Sequence, residues 1–322
     1  MRLRGIDFGY VMNASGARNF FGQGYWFHPL WKPFGLDYTG STFVAKTTTL
    51  LSRKGNMATR HDDGMTPKEL FPDCIVADPF KKIVLNAVGL TGSGADALFQ
   101  NGSWQNMRSP FFISFAAVSE SIESRLNEYK EFVTLAKKYI PYFSVSVGLE
   151  INLVCPNKEH ISMPTVAEVW EALTILSQLH IPLTLKYNLS LPHEEALAIS
   201  RHPYFHALCM SNTILFGQMS DVIDWKGLFG TETSPLKKYG GGGLSAAPLF
   251  PLVIEWIHQA RMYGFHKSII GCGGILCRQD ACRMLDAGAD AIQIGSVSIL
   301  RPWRVRSIIM HANAHAQSKT FR

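Results

Sequence analysis

From residue 42 onward, short apolar or β-branched runs alternate with longer segments of helical periodicity, and this alternation limits the fold more than any other feature. The runs are "TFVAKT" at 42–47, "KIVLNAV" at 82–88, "FFISFA" at 111–116, "VGLEINLV" at 147–154, "PLTLKY" at 182–187, "ALCMSNT" at 207–213, "SIIGCG" at 268–273 and "AIQIGS" at 291–296. Helical patterns cover 121–140, 164–179, 192–201, 246–263, 278–287 and 302–315. In the first of these, Ile122, Leu126, Phe132, Val133, Leu135 and Ala136 form one apolar face, with Ser119 or Ser121 as its cap. Strands separated by helices pair in parallel, because each crossover returns the chain to the same end of the sheet. The expected fold is therefore α/β, a closed (β/α)8 TIM barrel, with an open doubly wound sheet as the alternative. Two connections, 49–81 and 214–244, are too long for simple crossovers and predict inserted loops or small strands over the C-terminal face. No linker or repeat divides the chain, so a single domain over 1–322 is expected. About 42–316 would form the barrel proper, with 1–41 as an N-terminal extension covering it.

Composition excludes several classes. With 47% hydrophobic and 17% charged residues in 322, the chain has the makings of a large core and not of a disordered segment. No apolar run approaches the roughly 18–20 residues that span a bilayer. The longest candidate, "LFPLVIEWI" from Leu249, is interrupted by Pro251 and Glu255. The start "MRLRGIDFGYV" lacks the apolar stretch of a secretory signal, so a cytoplasmic protein with no membrane anchor is expected. The formal charge of +6 is scattered apart from "RPWRVR" near the C-terminus, and no nucleic-acid-binding motif accompanies it. Cysteines 74, 155, 209, 272, 277 and 282 follow no extracellular pattern and are expected as reduced thiols. Cys272, Cys277 and Cys282 recur every five residues, but across a strand, a glycine turn and a helix, so no metal site is expected.

The chemistry lies in position. The predicted strands end, in order, at Lys46 with Thr47, Asn86, Ser114, Asn152 followed by Cys155 and Asn157, Lys186, Asn212 with Thr213, Gly273-Gly274 and Gly295-Ser296. A lone asparagine at a strand end is usually a turn former and a lone lysine a solvated tip. Together, in a closed barrel, these ends converge on the face that carries active sites in this architecture. The glycine turns "GCGGI" and "QIGS" precede helices starting near Arg278 and Arg301, and offer backbone N–H groups to an anion such as a phosphate. Lys46 and Lys186 would point over the barrel mouth, where a buried ammonium needs an acceptor. The N1–C2=O edge of a flavin, which gains negative charge on reduction, is such a partner. The amides of Asn86, Asn152, Asn157 and Asn212 suit a planar substrate with adjacent C=O and N–H groups.

Seven stretches together, "MNASG", "AKTTTLLSRKGN", "LNAVGL", "EINLVCPN", "SNTI", "GGGGLS" and "IIGCGGI…DAGADAIQIGS", carry a family resemblance over residues 11–296. In their order and spacing the chain resembles class 1 dihydroorotate dehydrogenases, the FMN-dependent barrel enzymes of pyrimidine biosynthesis. The resemblance implies oxidation of (S)-dihydroorotate to orotate, with Cys155 as the base at C5 and a hydride passing from C6 to flavin N5. It implies that Lys46, Asn86, Asn152, Asn157, Asn212 and Thr213 bind the substrate. FMN would be held by Ala14, Ser15, Gly16, Lys46, Thr47, Asn152, Lys186, Gly243, Gly273, Gly274, Gly295 and Ser296. The N-terminal extension would thus contribute to the flavin site. His160 is the alternative base.

The resemblance also implies an electron acceptor, either fumarate or NAD+ through an iron–sulfur/FAD partner subunit, and a homodimer or heterotetramer. "NASGARNFFGQG" and "NAVGL" lean toward the NAD-linked type. Cysteine in place of serine, and the lack of an anchoring segment, argue against a quinone-linked class 2 enzyme. A dihydrouracil-type pyrimidine dehydrogenase is the nearest alternative activity, and Asn157 after Cys-Pro favours orotate over it. A non-catalytic flavin-binding barrel would have no need for Cys155 alongside four amides, and a flavin-free barrel acting on sugar phosphates would leave Lys186 unexplained. Four positions depart from the family pattern: Val154 where serine is usual, Gly92 where asparagine is usual, and Ala246 and Phe250 in the loop after "GGLS". The aromatic stretch "FFGQGYWFHPLWKPFGLDYTG" is an insert of unusual length.

Overall fold

The computed structural model describes residues 1–60, 63–153 and 163–320. Strands in the first third are β1 (Arg2–Leu3), β2 (Ile6–Asp7), β3 (Val11–Asn13), β4 (Ile75–Asp78) and β5 (Ile83–Asn86). The middle third supplies β6 (Phe111–Phe115), β7 (Val147–Asn152), β8 (Leu183–Tyr187), β9 (Ala207–Met210) and β10 (Ile214–Leu215). The last are β11 (Gly243–Ala246), β12 (Ser268–Cys272) and β13 (Ala291–Ile294). Seven strands pair in parallel in the order β3-β13-β12-β9-β8-β7-β6.

Residues 42–48 close this curled sheet. Met12 bridges to Thr42 on one side, and Val44 and Thr48 bridge to Phe112 and Phe115 on the other. Backbone bonds such as Thr42 N–H to the Val11 carbonyl and Ala45 N–H to the Phe112 carbonyl join this segment to both neighbours, and the Asn13 amide adds to them. Its nitrogen donates to the Val44 carbonyl at 2.7 Å, and its oxygen accepts from the Val44 N–H at 3.1 Å. The result is a TIM-barrel-like α/β fold, as the strand–helix alternation predicts.

One stave differs from the expectation. The run at 82–88 forms β5 outside the barrel, in an antiparallel sheet ordered β10-β11-β5-β4. Only residues 79–82 separate β4 from β5, and a connection that short permits a hairpin but no parallel crossover. Asp78 shapes the turn by accepting from the N–H groups of Phe80 and Lys81. The vacant place in the barrel is taken by β3, which belongs to the segment read as an extension before residue 42. Both long connections end in this second sheet, 49–81 through β4 and 214–244 through β10 and β11.

Two apolar clusters hold the fold. Inside the barrel, Met12, Val44, Phe112 and Ile270 pack with Met1, Leu3 and Phe8 of the N-terminal hairpin, which plugs the barrel floor. The Phe8 and Phe112 rings lie 4.2 Å apart, and a Cβ at Gly148 would stand 2.4 Å from the Phe112 ring, so β7 needs glycine there. Outside, the helix Ile122–Tyr139 lays Leu126, Tyr129, Phe132 and Val133 on the sheet, with Phe132 stacked 4.0 Å from Phe115. Burying such a ring is worth roughly 1.5–3 kcal/mol. Ser121 is its cap, accepting from the Ser124 N–H at 3.1 Å. No helix among the described residues is long and apolar enough to cross a membrane.

Candidate functional site

At the C-terminal ends of the barrel strands, roofed by the antiparallel sheet, lies a cavity of about 620 Å3. That size is within the roughly 300–1,000 Å3 typical of ligand and cofactor sites. Ala14, Ser15, Gly16, Lys46, Thr47, Asn86, Asn152, Lys186, Asn212, Thr213, Gly273, Gly274, Gly295 and Ser296 line it. These residues come from positions as far apart as 14 and 296, and the barrel brings them to one wall. Gly243 stands behind that wall. It pairs with Asn86 across β11 and β5, and its carbonyl accepts from the Asn86 amide at 3.4 Å. Cys155 and Asn157, with Val154 and the alternative base His160, lie outside the described residues.

The polar groups form one connected floor. Asn212 donates through Nδ2 to Asn152 Oδ1 at 2.9 Å, and Asn152 Nδ2 donates to Thr47 Oγ1 at 3.2 Å. Thr47 also meets Ser114 Oγ at 2.9 Å and Ser15 Oγ at 3.3 Å. Lys186, only 4% exposed, donates to Gln293 Oε1 at 3.1 Å and reaches Ser15 Oγ at 3.5 Å. Lys46 donates to the Thr91 carbonyl and lies over the Phe20 ring, 4.5 Å from its centre. Beneath them Gln293 donates to Glu150 Oε2 at 2.6 Å, and Ser114 donates to Glu150 Oε1 at 3.0 Å. Burial pushes the Cys209 thiol up, well out of the range of a reactive thiolate.

Glu150 and Gln293 were not among the site residues read from the sequence. Both occupy alternate positions within fully buried strands, each two residues before a strand-end group, Asn152 and Gly295. An ionisable or amide side chain in an apolar strand, in phase with a predicted site residue, is the signal that finds them.

The glycine turns make close approaches. A Cβ on Gly274, at φ +72°, would fall 2.5 Å from Phe250 Cβ and 2.7 Å from the Ala246 carbonyl oxygen. Ala246 itself has φ 80°, in the left-handed region that favours glycine. The anion donors expected at the helix Arg278–Asp286 are narrowed by the chain's own chemistry. Asp280 Oδ2 accepts from the N–H groups of Leu276 and Cys277, completing a capping box.

The aromatic insert forms one side of the cavity mouth through Tyr25, Trp26 and Phe27. Tyr25 Oη donates to the Gly16 carbonyl at 2.6 Å, and Trp26 Nε1 donates to the Leu70 carbonyl at 2.7 Å. Burial, with the Arg18 cation nearby, drives His28 down to about 4, and burial pushes the Tyr25 hydroxyl up. Gly92, where the family has a side chain, faces the buried Phe20 ring, and a Cβ at 92 would stand 2.8 Å from Phe20 Cζ. The departure at 92 and the insert therefore belong together. Arg60 and Lys68 add positive charge to the rim.

Buried ammonium groups, amides, hydroxyls and close-approach glycines on one cavity suit a planar, heteroatom-rich guest with an anionic tail. The family model described as dihydroorotate dehydrogenase matches residues 11–312. Dihydroorotate dehydrogenase A (fumarate) of Lacticaseibacillus paracasei is 28% identical over 96% of this chain and 95% of its own. Dihydroorotate dehydrogenase B (NAD(+)), catalytic subunit, of Anoxybacillus flavithermus is 29% identical over 93% of this chain and 84% of its own. Among solved structures, the Eimeria tenella DHODH crystallised with ferulenol superposes with a TM-score of 0.68 at 17% identity, covering 99% of this chain and 83% of that one. That likeness supports the fold.

Proposed function

Because this chain belongs to the dihydroorotate dehydrogenase family, oxidoreductases acting on a CH–CH bond, we propose that it oxidises (S)-dihydroorotate to orotate with FMN as cofactor, in pyrimidine nucleotide synthesis. The observation that carries the reading is the convergence of Lys46, Lys186, Asn86, Asn152 and Asn212 on one cavity of about 620 Å3. The residues present fit FMN: cations for the electron-rich edge of the ring system, glycine turns for the phosphate, and a small-residue wall at Ala14–Gly16. When bound, FMN supplies the two-electron acceptor for the hydride that leaves C6.

The chain's own groups do the rest. Asn86, Asn152 and Asn212, with Asn157 and Thr213, hold the carbonyl and N–H groups of the substrate ring and fix its face toward the cofactor. Lys46 supplies positive charge next to them. Lys186, with Ser15, Gly16 and Thr47, holds the cofactor's edge, while Gly273, Gly274, Gly295 and Ser296 take its ribityl and phosphate, and Gly243 backs the wall behind Asn86. Cys155, assigned from "EINLVCPN", takes the proton from C5. A thiol with an ordinary pKa near 8.5 is a usable base around neutral pH and improves beside a cation. The proton leaves C5, the hydride leaves C6, and the C5=C6 double bond forms between them.

The acceptor that reoxidises the flavin is fumarate, or NAD+ through an iron–sulfur/FAD partner subunit. The relatives named for fumarate and for NAD(+) support these two equally. An acceptor screen with fumarate, NAD+, a quinone and a dye separates them, and light scattering separates a homodimer from a heterotetramer. The reading is tested by loading the purified protein with FMN and assaying dihydroorotate, with dihydrouracil as the competing substrate. Protein that binds no FMN, or that turns over dihydrouracil in preference, contradicts it. Cys155→Ala is expected to keep FMN and lose most turnover, and undiminished turnover near neutral pH would refute the base assignment.

A further inference from the structure

Glu150 lies on β7 at 1% exposure, inside the barrel and below the cavity floor. Its Oε1 accepts from Ser114 at 3.0 Å and its Oε2 from Gln293 Nε2 at 2.6 Å, and Lys186 Nζ lies 3.8 Å from Oε1. Lys186 donates in turn to Gln293 Oε1 at 3.1 Å. The charges on either side dictate how the Gln293 amide is turned. A carboxylate only accepts and an ammonium only donates, so the NH2 faces Glu150 and the C=O faces Lys186. Three side chains from β7, β8 and β13 thus form a closed triangle across the barrel.

A lysine at 4% exposure has lost most of its hydration, and burial alone drives such a group toward its neutral form. A lone carboxylate in the same place has the opposite tendency, toward protonation. Side by side with Glu150, and tied to it through one amide, the Lys186 ammonium has an opposite charge that favours its protonated form. The other ionisable groups facing Lys186 among the described residues are the Cys209 and Cys272 thiols, with Lys46 across the cavity. Cys209 does not replace the carboxylate, since burial raises its thiol, whereas the hydrogen bond with Cys209 lowers Cys272.

We propose that Glu150 is a positioning residue for the cofactor chemistry: it keeps Lys186 protonated and aimed into the cavity, so that the flavin edge meets a permanent cation throughout the neutral and mildly alkaline range. The inference rests on the FMN reading above. With Lys186 always charged, two-electron reduction takes up one proton, and the midpoint potential falls by about 30 mV per pH unit, the tenfold step of a two-electron couple. Without the carboxylate, Lys186 is neutral while the flavin is oxidised and gains its proton when the flavin is reduced. Reduction then takes up two protons, and the slope doubles to about 60 mV per pH unit.

The test is a spectroelectrochemical titration of the FMN-loaded protein between pH 7 and 9, for the native chain, Glu150→Gln and the swap Glu150→Gln/Gln293→Glu. The native and swap proteins are expected to show the shallow slope and Glu150→Gln the steep one. A native slope in Glu150→Gln, or a uniform shift of potential without a change of slope, overturns the proposal. Should Glu150→Gln not fold, the swap carries the test, and a steep slope there overturns it. A native chain that takes up no FMN would sink the cofactor reading instead. The Lys186 ε-carbon is then titrated by NMR, with Lys186→Arg for assignment. Glu150→Gln is expected to lower its midpoint by about three units or more, the swap is expected to leave it near the native value, and an unchanged midpoint in Glu150→Gln or a lowered one in the swap overturns the proposal.

Discussion

Gly92 and Ala246 each depart from the family pattern, with opposite consequences for stability. At 92 a Cβ would press on the Phe20 ring at 2.8 Å, and that ring is buried beneath the Lys46 ammonium, while the Trp104 indole N–H donates to the Phe20 carbonyl. Gly92→Ala is expected to destabilise by about 1–3 kcal/mol through overpacking, with relief when Phe20→Leu is added, read by a double-mutant cycle in urea. At 246 the left-handed backbone carries a Cβ it would be better without. Ala246→Gly is expected to raise stability by about 1 kcal/mol, and a loss of that size would contradict the strain. Residue types at strand ends were legible in the sequence because the barrel turns strand order into proximity. Glu150 and Gln293 were harder to see, because their role depends on partners across the barrel at positions 186 and 114 that no local pattern links.

Among the elements, the order of strands and helices was legible and the membership of the barrel only in part. The pattern at 82–88 is that of a buried strand, and a buried antiparallel strand reads the same as a parallel one. What decides is the length of the preceding connection, once β4 is known to exist. β3 has three residues running straight into "ASG", too short for periodicity to register. The helices Ile122–Tyr139 and Val166–Leu176 are pinned by Arg125, whose Nε and Nη2 donate to both oxygens of Glu168 at 2.6 and 2.8 Å. Both side chains are 4% exposed, so Glu168→Ala leaves a buried cation and is expected to cost about 3–5 kcal/mol in denaturant unfolding. The aromatic insert carries a pH dependence of its own. His28 in the folded chain titrates near 4, below its unfolded value of about 6.5. Its contribution is therefore complete above pH 6.5 and is lost as pH falls toward 4, because the unfolded chain takes up the proton first. His28→Gln is expected to flatten that part of the stability profile, measured by urea unfolding at pH 7, 5.5 and 4.5.

For the whole molecule, the barrel collects groups from the first 16 residues and from the last strand at 291–294 onto one cavity, and the antiparallel sheet built from both long connections covers it. The proposed activity depends on that cavity holding a flavin that dihydroorotate reduces. The most direct measurement is an anaerobic titration of the FMN-loaded protein with (S)-dihydroorotate, followed by the flavin's visible absorbance. Stoichiometric bleaching is expected in the native chain, and Cys155→Ala is expected to retain FMN but bleach more slowly by orders of magnitude. A native protein whose bound FMN stays yellow under excess dihydroorotate would contradict the proposed activity.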